Sequence, residues 1–216
     1  MILEGLVTTL TPEGQLHLAP MGALLSPQDL GEHDRPDGTM RRFLLRPFQT
    51  AQTYRNLRQH SEGVFHLTDD VLLLAQAAIG KVEPFPAVRP AACVLGYIVE
   101  DACRYYEFRI VGVDDRQERA CLEAEVLAAG RLRDFLGFNR ARHAVIEAAI
   151  LATRIHLLPR DAHGRLTPAA LRQIDEECRR LRALVDKTGG PREHAAFDLL
   201  CHYVRAQGSD QPDQQQ

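Results

Sequence analysis

Long hydrophobic runs, a strong charge of one sign and paired cysteines are all missing from this 216-residue chain. No apolar stretch reaches the ~18–20 residues that cross a bilayer. The longest, around residues 71–79, is interrupted by Gln76. A formal net charge of −3 argues against a charge-driven grip on nucleic acid. The five cysteines (Cys93, Cys103, Cys121, Cys178, Cys201) are odd in number, scattered, and never spaced Cys-x-x-Cys. The opening Met1-Ile2-Leu3-Glu4 has neither the basic start nor the small-residue cleavage site of a signal peptide. Together these absences lead us to expect a reduced, cytoplasmic protein with no membrane or nucleic-acid partner.

Familiar catalytic signatures are missing too. Lys81 follows Gly80, but Ala75 and Val82 stand where a phosphate-binding P-loop requires glycine and serine or threonine. There is no Gly-x-Gly-x-x-Gly and no Gly-x-Ser-x-Gly elbow. His143 and Glu147, four apart, lack a third metal ligand and read as a helix-surface pair. His194 and His202 read as a solvated helix face. The cysteines read as core fillers, because none sits at an electropositive helix start. No metal is expected.

What is present is ordinary in bulk: 45% hydrophobic and 25% charged residues. At roughly 150 residues per domain, the length suggests one and a half domains. Residues 1–130 carry 12 Lys/Arg against 18 Asp/Glu, and residues 131–216 carry 14 against 11. Only Lys81 and Lys187 are lysines.

The acidic part reads as strands. Residues 2–10 and 15–23 flank Thr11-Pro12-Glu13-Gly14 as a hairpin. Residues 26–39 read as an exposed loop and residues 40–46 as a third strand. Residues 50–59 read as a helix capped by Thr50 or Thr53. A strand at 63–67 and a helix at 71–78, opened by Thr68-Asp69-Asp70 and ended by Gly80, come next. Residues 81–90 hold three prolines and read as a connector. Two strands, 105–113 and 120–127, flank the turn at Asp114-Asp115-Arg116.

The basic part reads as helices. Asn139 caps one that runs to Arg154. Thr167-Pro168 opens a second, in which Leu171, Ile174, Cys178, Leu181 and Val185 recur at 3,4 spacing. Gly189-Gly190 ends it, and Pro191 starts a third with Ala196, Leu199, Leu200 and Tyr203 inward. The pattern gives an α+β fold. An antiparallel unit of about six strands, residues 1–130, closes into a barrel. A helical subdomain (131–207) and a fraying polar tail (208–216) follow.

Three segments stand out. In the first, Thr8-Thr9 precedes Pro20-Met21-Gly22, where Pro20 lacks a ladder donor and Gly22 permits close approach; a bulged edge strand explains it equally. In the second, Arg46 is followed by Gln49, Thr50, Gln52 and Thr53 at a helix start, a pattern suited to a phosphate monoester. Simple capping explains that pattern too. The third places Asn139 and Arg140 at a helix start, with Glu147 and Arg154 two turns apart; a cap with exposed charges is the alternative.

The runs Val7-Thr8-Thr9…Ala19-Pro20-Met21-Gly22, Thr53-Tyr54-Arg55-Asn56-Leu57, Thr68-Asp69-Asp70 and Phe138-Asn139-Arg140-Ala141…Ile146-Glu147…Ala152-Thr153-Arg154 resemble the family numbered 447 among domains of unknown function. That family occurs in methanogenic archaea and in bacteria with pterin-linked one-carbon metabolism. The β-part is similar to the flavin reductase and pyridoxamine-phosphate oxidase group. The resemblance runs from about Glu4 to Tyr203. It implies an FMN-binding split barrel, a homodimer with FMN at the subunit interface, and a C-terminal helical addition. His17 and His66 stand where the family is expected to have Asn, replacing an amide with an imidazole.

Under this resemblance, Arg46, Gln49, Thr50, Gln52 and Thr53 are expected to hold the phosphate. Thr8, Thr9, Pro20, Met21 and Gly22 are expected to line the ring slot, and Asn139 and Arg140 to reach ligand or partner. The expected function is an FMN-dependent oxidoreductase, linked to a pterin-like small-molecule substrate. The alternatives are an FMN carrier or sensor without turnover, and an assembly protein working through the helical hairpin.

Overall fold

A computed structural model describes residues 1–26 and 40–209. The expected loop at 26–39 falls almost entirely outside the described residues, as does most of the expected tail. The chain forms two compact units. One comprises Met1–Asp69 and Pro84–Leu136; the other comprises Asp70–Glu83 and the chain from Gly137 onward.

The first unit begins with β1 (Ile2–Leu10) and β2 (Leu16–Leu24), paired antiparallel in continuous register from Ile2↔Leu24 to Leu10↔Leu16. Gly14, at φ +79°, makes the left-handed turn between them. Then come β3 (Arg42–Leu45), α1 (Gln52–Gln59) and β4 (Glu62–Leu67). In the second unit lies α2 (Val71–Ala78). Back in the first are β5 (Val88–Pro90), β6 (Tyr97–Val99), β7 (Arg104–Asp114) and β8 (Cys121–Arg131). Six strands close an antiparallel barrel in the order β1-β2-β3-β8-β7-β4.

Alternation along each strand sorts the side chains. Val7, Phe43, Leu45, Phe65, Tyr106, Phe108 and Leu122 fill the barrel interior. The rings of Phe43, Phe65 and Phe108 meet at centroid distances of 5.5 and 5.3 Å. Gly5 is needed where β1 crosses β4, since a Cβ there would lie 2.3 Å from the His66 carbonyl oxygen.

The join between β2 and β3 is short. Only Ala23↔Leu45 and Leu24↔Leu44 pair, so, among the described residues, 16–22 of β2 have no partner on that side. Pro20 sits on this open edge without a bulge, opposite Leu6 in unbroken register. A missing N–H costs nothing on an unpaired edge. Leu57 of α1 enters the barrel core, with Tyr54 packed beside it.

Residues 81–90 are more than a connector: β5 and β6 form a separate hairpin, with Val88 opposite Val99. Strands of three residues are too short to show periodicity, and Pro90 reads as a breaker. The hairpin covers the outer barrel face, packing Val94 and Ile98 against Val64. Buried polar side chains hold its backbone. Thr8 Oγ1 donates to the Tyr97 carbonyl at 2.6 Å, and His66 Nε2 accepts from Val99 N–H at 3.0 Å. Glu107 accepts from the N–H groups of Ala92 (3.2 Å) and Cys93 (2.5 Å), and Glu62 accepts from Leu95 N–H at 2.7 Å.

The second unit is helical. Asp70 caps α2 by accepting from the N–H groups of Leu72 and Leu73. Next come α3 (Arg140–Arg154), α4 (Pro168–Thr188) and α5 (Pro191–Ser209). An alanine-rich stripe on α3 (Ala141, Ala144, Ala148, Ala149, Ala152) is buried and lets α2, α4 and α5 approach closely. Thr167 caps α4 as expected. Ile174, Cys178, Leu181 and Val185 are buried, so the 3,4 stripe is used within the unit; Leu171 is 38% exposed. The buried face of α5 is Ala196, Phe197, Leu200, Cys201 and Val204. Leu199 and Tyr203, expected inward, are half-buried instead, because the helix is rotated to place Phe197 and Cys201 in the core.

His66 generates a pH dependence. Its side chain is fully buried, and Nδ1 has no hydrogen-bond partner. Burial lowers its pKa from 6.5 to about 4, against a smaller opposing pull from the carbonyls of Leu6 and Val64. The unfolded state therefore binds more protons between those values, so stability is lost as pH falls through that window. Between pH 7 and pH 5 this group removes about 2 kcal/mol. Urea unfolding at both pH values should show His66→Asn losing about 2 kcal/mol less than the native chain; equal losses would contradict it.

Candidate anion-binding site at the open barrel edge

The segment joining β3 to α1 turns sharply off the barrel. Phe48 bridges to Arg119, Gln49 N–H donates to the Glu118 carbonyl at 3.1 Å, and Ala51 N–H donates back to Phe48 at 2.9 Å. The N-cap of α1 is Ala51, which has no oxygen to offer, and no side chain caps the helix. The expected capping by Thr50 or Thr53 does not occur. An uncapped helix start leaves backbone N–H groups and the positive dipole end without a protein partner. No acidic residue lies in the first turn.

Three side chains around this terminus show no partner among the described residues. Arg46 is exposed and makes no ion pair among the described residues. Thr50 is exposed, one residue before the cap. Thr53 is 2% exposed, yet its hydroxyl makes no hydrogen bond among the described residues. Extending the Ala23↔Leu45 register by one residue sets Arg46 beside Gly22, where β2 and β3 part. Arg46 therefore lies by the edge that carries Pro20, Met21 and Gly22, while Thr53 sits on α1, which packs against β1.

The other expected residues have work inside the protein. Both Gln49 amide hydrogens are used, donating to the carbonyls of Asp115 (2.6 Å) and Gln117 (2.7 Å). Gln52 Nε2 donates to Asn56 Oδ1 at 2.7 Å. Thr8 points outward to the β5–β6 hairpin, away from its neighbour Thr9. Met21 packs on the barrel core. At Gly22, the space a Cβ would occupy is filled by Ile2 Cγ2 at 2.8 Å.

Asn139 and Arg140 belong to the helical unit. Asn139 Oδ1 accepts from the N–H groups of Ala141 and Arg142, and its Nδ2 donates to the Thr188 carbonyl at 3.0 Å, tying the start of α3 to the end of α4. Arg140 is exposed. Nearby, Glu193 accepts from Arg142 Nε and from Gly190 N–H, both at 3.0 Å.

Asn56 is a residue that sequence reasoning missed. It is fully buried on α1, where its Nδ2 donates to Thr9 Oγ1 at 2.9 Å. Thr9 Oγ1 lies 3.4 Å from His17 Nδ1. Burial lowers the His17 pKa, favouring the neutral ring that can accept from Thr9. The resulting chain, Gln52–Asn56–Thr9–His17, anchors α1 to both strands of the first hairpin. The spacing of Gln52 and Asn56 was readable as a helix pair; the link to Thr9 depends on the barrel.

The network predicts coupling. Asn56→Ala and Thr9→Val should each destabilise the protein by roughly 1–3 kcal/mol, because each strands buried partners. The double variant should cost clearly less than the sum in urea unfolding. Full additivity would mean that the two side chains act independently.

Comparison with known proteins places this geometry. No curated protein matches the sequence. A crystal structure of the FMN-bound protein MM1853 from Methanosarcina mazei, a DUF447 protein, superposes with a TM-score of 0.72 at 19% identity, covering 94% of each chain. The crystal structure of flavin reductase HpaC complexed with NADP+ superposes with a TM-score of 0.50 at 16% identity, covering 64% of this chain and 82% of that one. The barrel fold is thus shared with FMN-binding split barrels. Sequence profiles for the N- and C-terminal domains of the protein of unknown function DUF447 match residues 3–133 and 139–202, and the chain belongs to that family.

Proposed function

We propose that this chain binds FMN, with the phosphate at the N-terminus of α1, and serves as an FMN-dependent oxidoreductase. The observation that carries the reading is the helix start with no side-chain cap, beside Arg46, which makes no ion pair among the described residues, and Thr53 on the first turn. The donor set suits a phosphate monoester: backbone N–H groups, a hydroxyl, and a planar cation able to bind two oxygens. The FMN-bound family member supports the choice of ligand.

Within this reading, Arg46, Thr50 and Thr53 bind the phosphate. Gln49 orients the segment, and Gln52 and Asn56 hold the helix that carries the donors. Pro20, Met21 and Gly22 line the ring on the open edge. FMN, when bound, supplies hydride or electron transfer. The chain's own part is to bind and orient the flavin and to shield it from water. A homodimer with FMN at the subunit interface fits the exposed apolar side chains of Val111, Val113 and Leu127 on the β7–β8 hairpin. A pterin-like substrate and a cytoplasmic setting complete the proposal.

Purified protein should be yellow, and heat should release FMN identifiable by mass. Arg46→Ala combined with Thr53→Ala should raise the FMN dissociation constant at least tenfold, about 1.4 kcal/mol, with circular dichroism unchanged. An unchanged constant would move the phosphate elsewhere. Colourless protein that takes up no FMN would overturn the reading itself.

A further inference from the structure

The connection between β7 and β8, residues 115–120, supplies none of the expected ligands, yet it lies against the segment that carries them. β3 ends at Leu45 and α1 begins at Gln52, so the residues between have no regular element of their own. The two backbones bond at two points. Gln49 N–H donates to the Glu118 carbonyl at 3.1 Å, and Ala120 N–H donates to the Pro47 carbonyl at 3.0 Å. Side chains add to this from the α1 side. Gln49 Nε2 reaches the carbonyls of Asp115 and Gln117, and the Tyr54 hydroxyl, on the first turn of α1, donates to Asp115 Oδ2 at 3.0 Å.

Arg119 answers from the other side. Its Nε and Nη2 donate to the Arg46 carbonyl at 3.0 and 2.8 Å, and its guanidinium carbon lies 5.0 Å from the centroid of the Phe48 ring. A carbonyl that accepts two hydrogens of one planar fork is fixed in direction as well as in distance. That carbonyl belongs to Arg46, the cation of the proposed phosphate site. The same side chain thus holds the backbone at Arg46 and the ring two residues further on.

We propose that Arg119 is a positioning residue for the anion site: its fork on the Arg46 carbonyl sets the site's preference for a flavin that carries a phosphate monoester. The proposal rests on the reading of this site as the seat of the FMN phosphate. Arg119 acts through Arg46, by geometry rather than by its own charge. Lysine separates the two roles, because an ammonium keeps the charge and has no planar fork. Tyr54 has a smaller share, since its hydroxyl ties the first turn of α1 to the same connection.

The test titrates the full-length protein, freed of flavin, with FMN and with riboflavin, which has the same ring and no phosphate. The native protein should bind FMN tighter by about a hundredfold or more. Arg119→Ala should cut that preference about tenfold while leaving the riboflavin constant unchanged. Arg119→Lys should cut it as far. Tyr54→Phe, which removes one hydroxyl, should cut it about threefold. A preference unchanged in Arg119→Ala, or retained by Arg119→Lys, overturns the proposal. Equal losses for both ligands would show a general part in folding and overturn it too. A native protein that binds the two flavins equally would instead overturn the phosphate reading itself. If Arg119→Ala fails to fold, Arg119→Lys and Tyr54→Phe decide the matter.

Discussion

The barrel unit depends on how little of β2 pairs with β3. Two residue pairs close the cylinder, and the rest of that edge of β2 is unpaired among the described residues. An open edge in a small barrel exposes unpaired backbone and must be managed. Here Pro20 removes one donor from the edge, and α1 sends Leu57 into the core. The consequence reaches the helix itself. α1 is short, and its position is set by Asn56 and Leu57 rather than by a cap. Among the described residues no side chain caps its N-terminus.

A second constraint acts on the opposite face. The β5–β6 hairpin is too short to be stable alone, so it relies on the barrel strands beneath it. Thr8, His66, Glu107 and Glu62 each bond to its backbone rather than to its side chains. Such contacts make no demand on the side chains of the residues they hold, so the hairpin's sequence is constrained mainly where Val94 and Ile98 pack against Val64. His66 is the costly member, with one ring nitrogen unsatisfied in a dry site.

Much of this was legible in the sequence, for identifiable reasons. β1 is rich in β-forming residues and is joined to β2 by the turn residues Thr11-Pro12-Glu13-Gly14, and α2, α3 and α4 carry Asp70, Asn139 and Thr167 at their starts. What was hidden depends on long-range geometry. The placement of α2 with the C-terminal helices has no local signal, since the chain leaves the barrel at Asp69 and returns at Pro84. Thr8 and Thr9 are both expected at the ring slot, but strand alternation sends them to opposite faces, Thr8 to Tyr97 and Thr9 to Asn56. Gln49 reads as a donor to a ligand, and the β7–β8 turn takes both of its hydrogens. The Asn139 block reads as a site motif; in the fold its side chain joins α3 to α4.

The β7–β8 turn also grips the cradle from outside. Besides the two Gln49 bonds, Arg119 donates from Nε and Nη2 to the Arg46 carbonyl at 3.0 and 2.8 Å, and its guanidinium stacks 5.0 Å from the centroid of the Phe48 ring. The backbone between Arg46 and Ala51 is therefore braced by an element more than sixty residues away. A loop braced in this way is already ordered before any anion arrives. The phosphate proposed to bind there would meet a preformed socket rather than a flap that closes on its guest, with little conformational entropy left to lose.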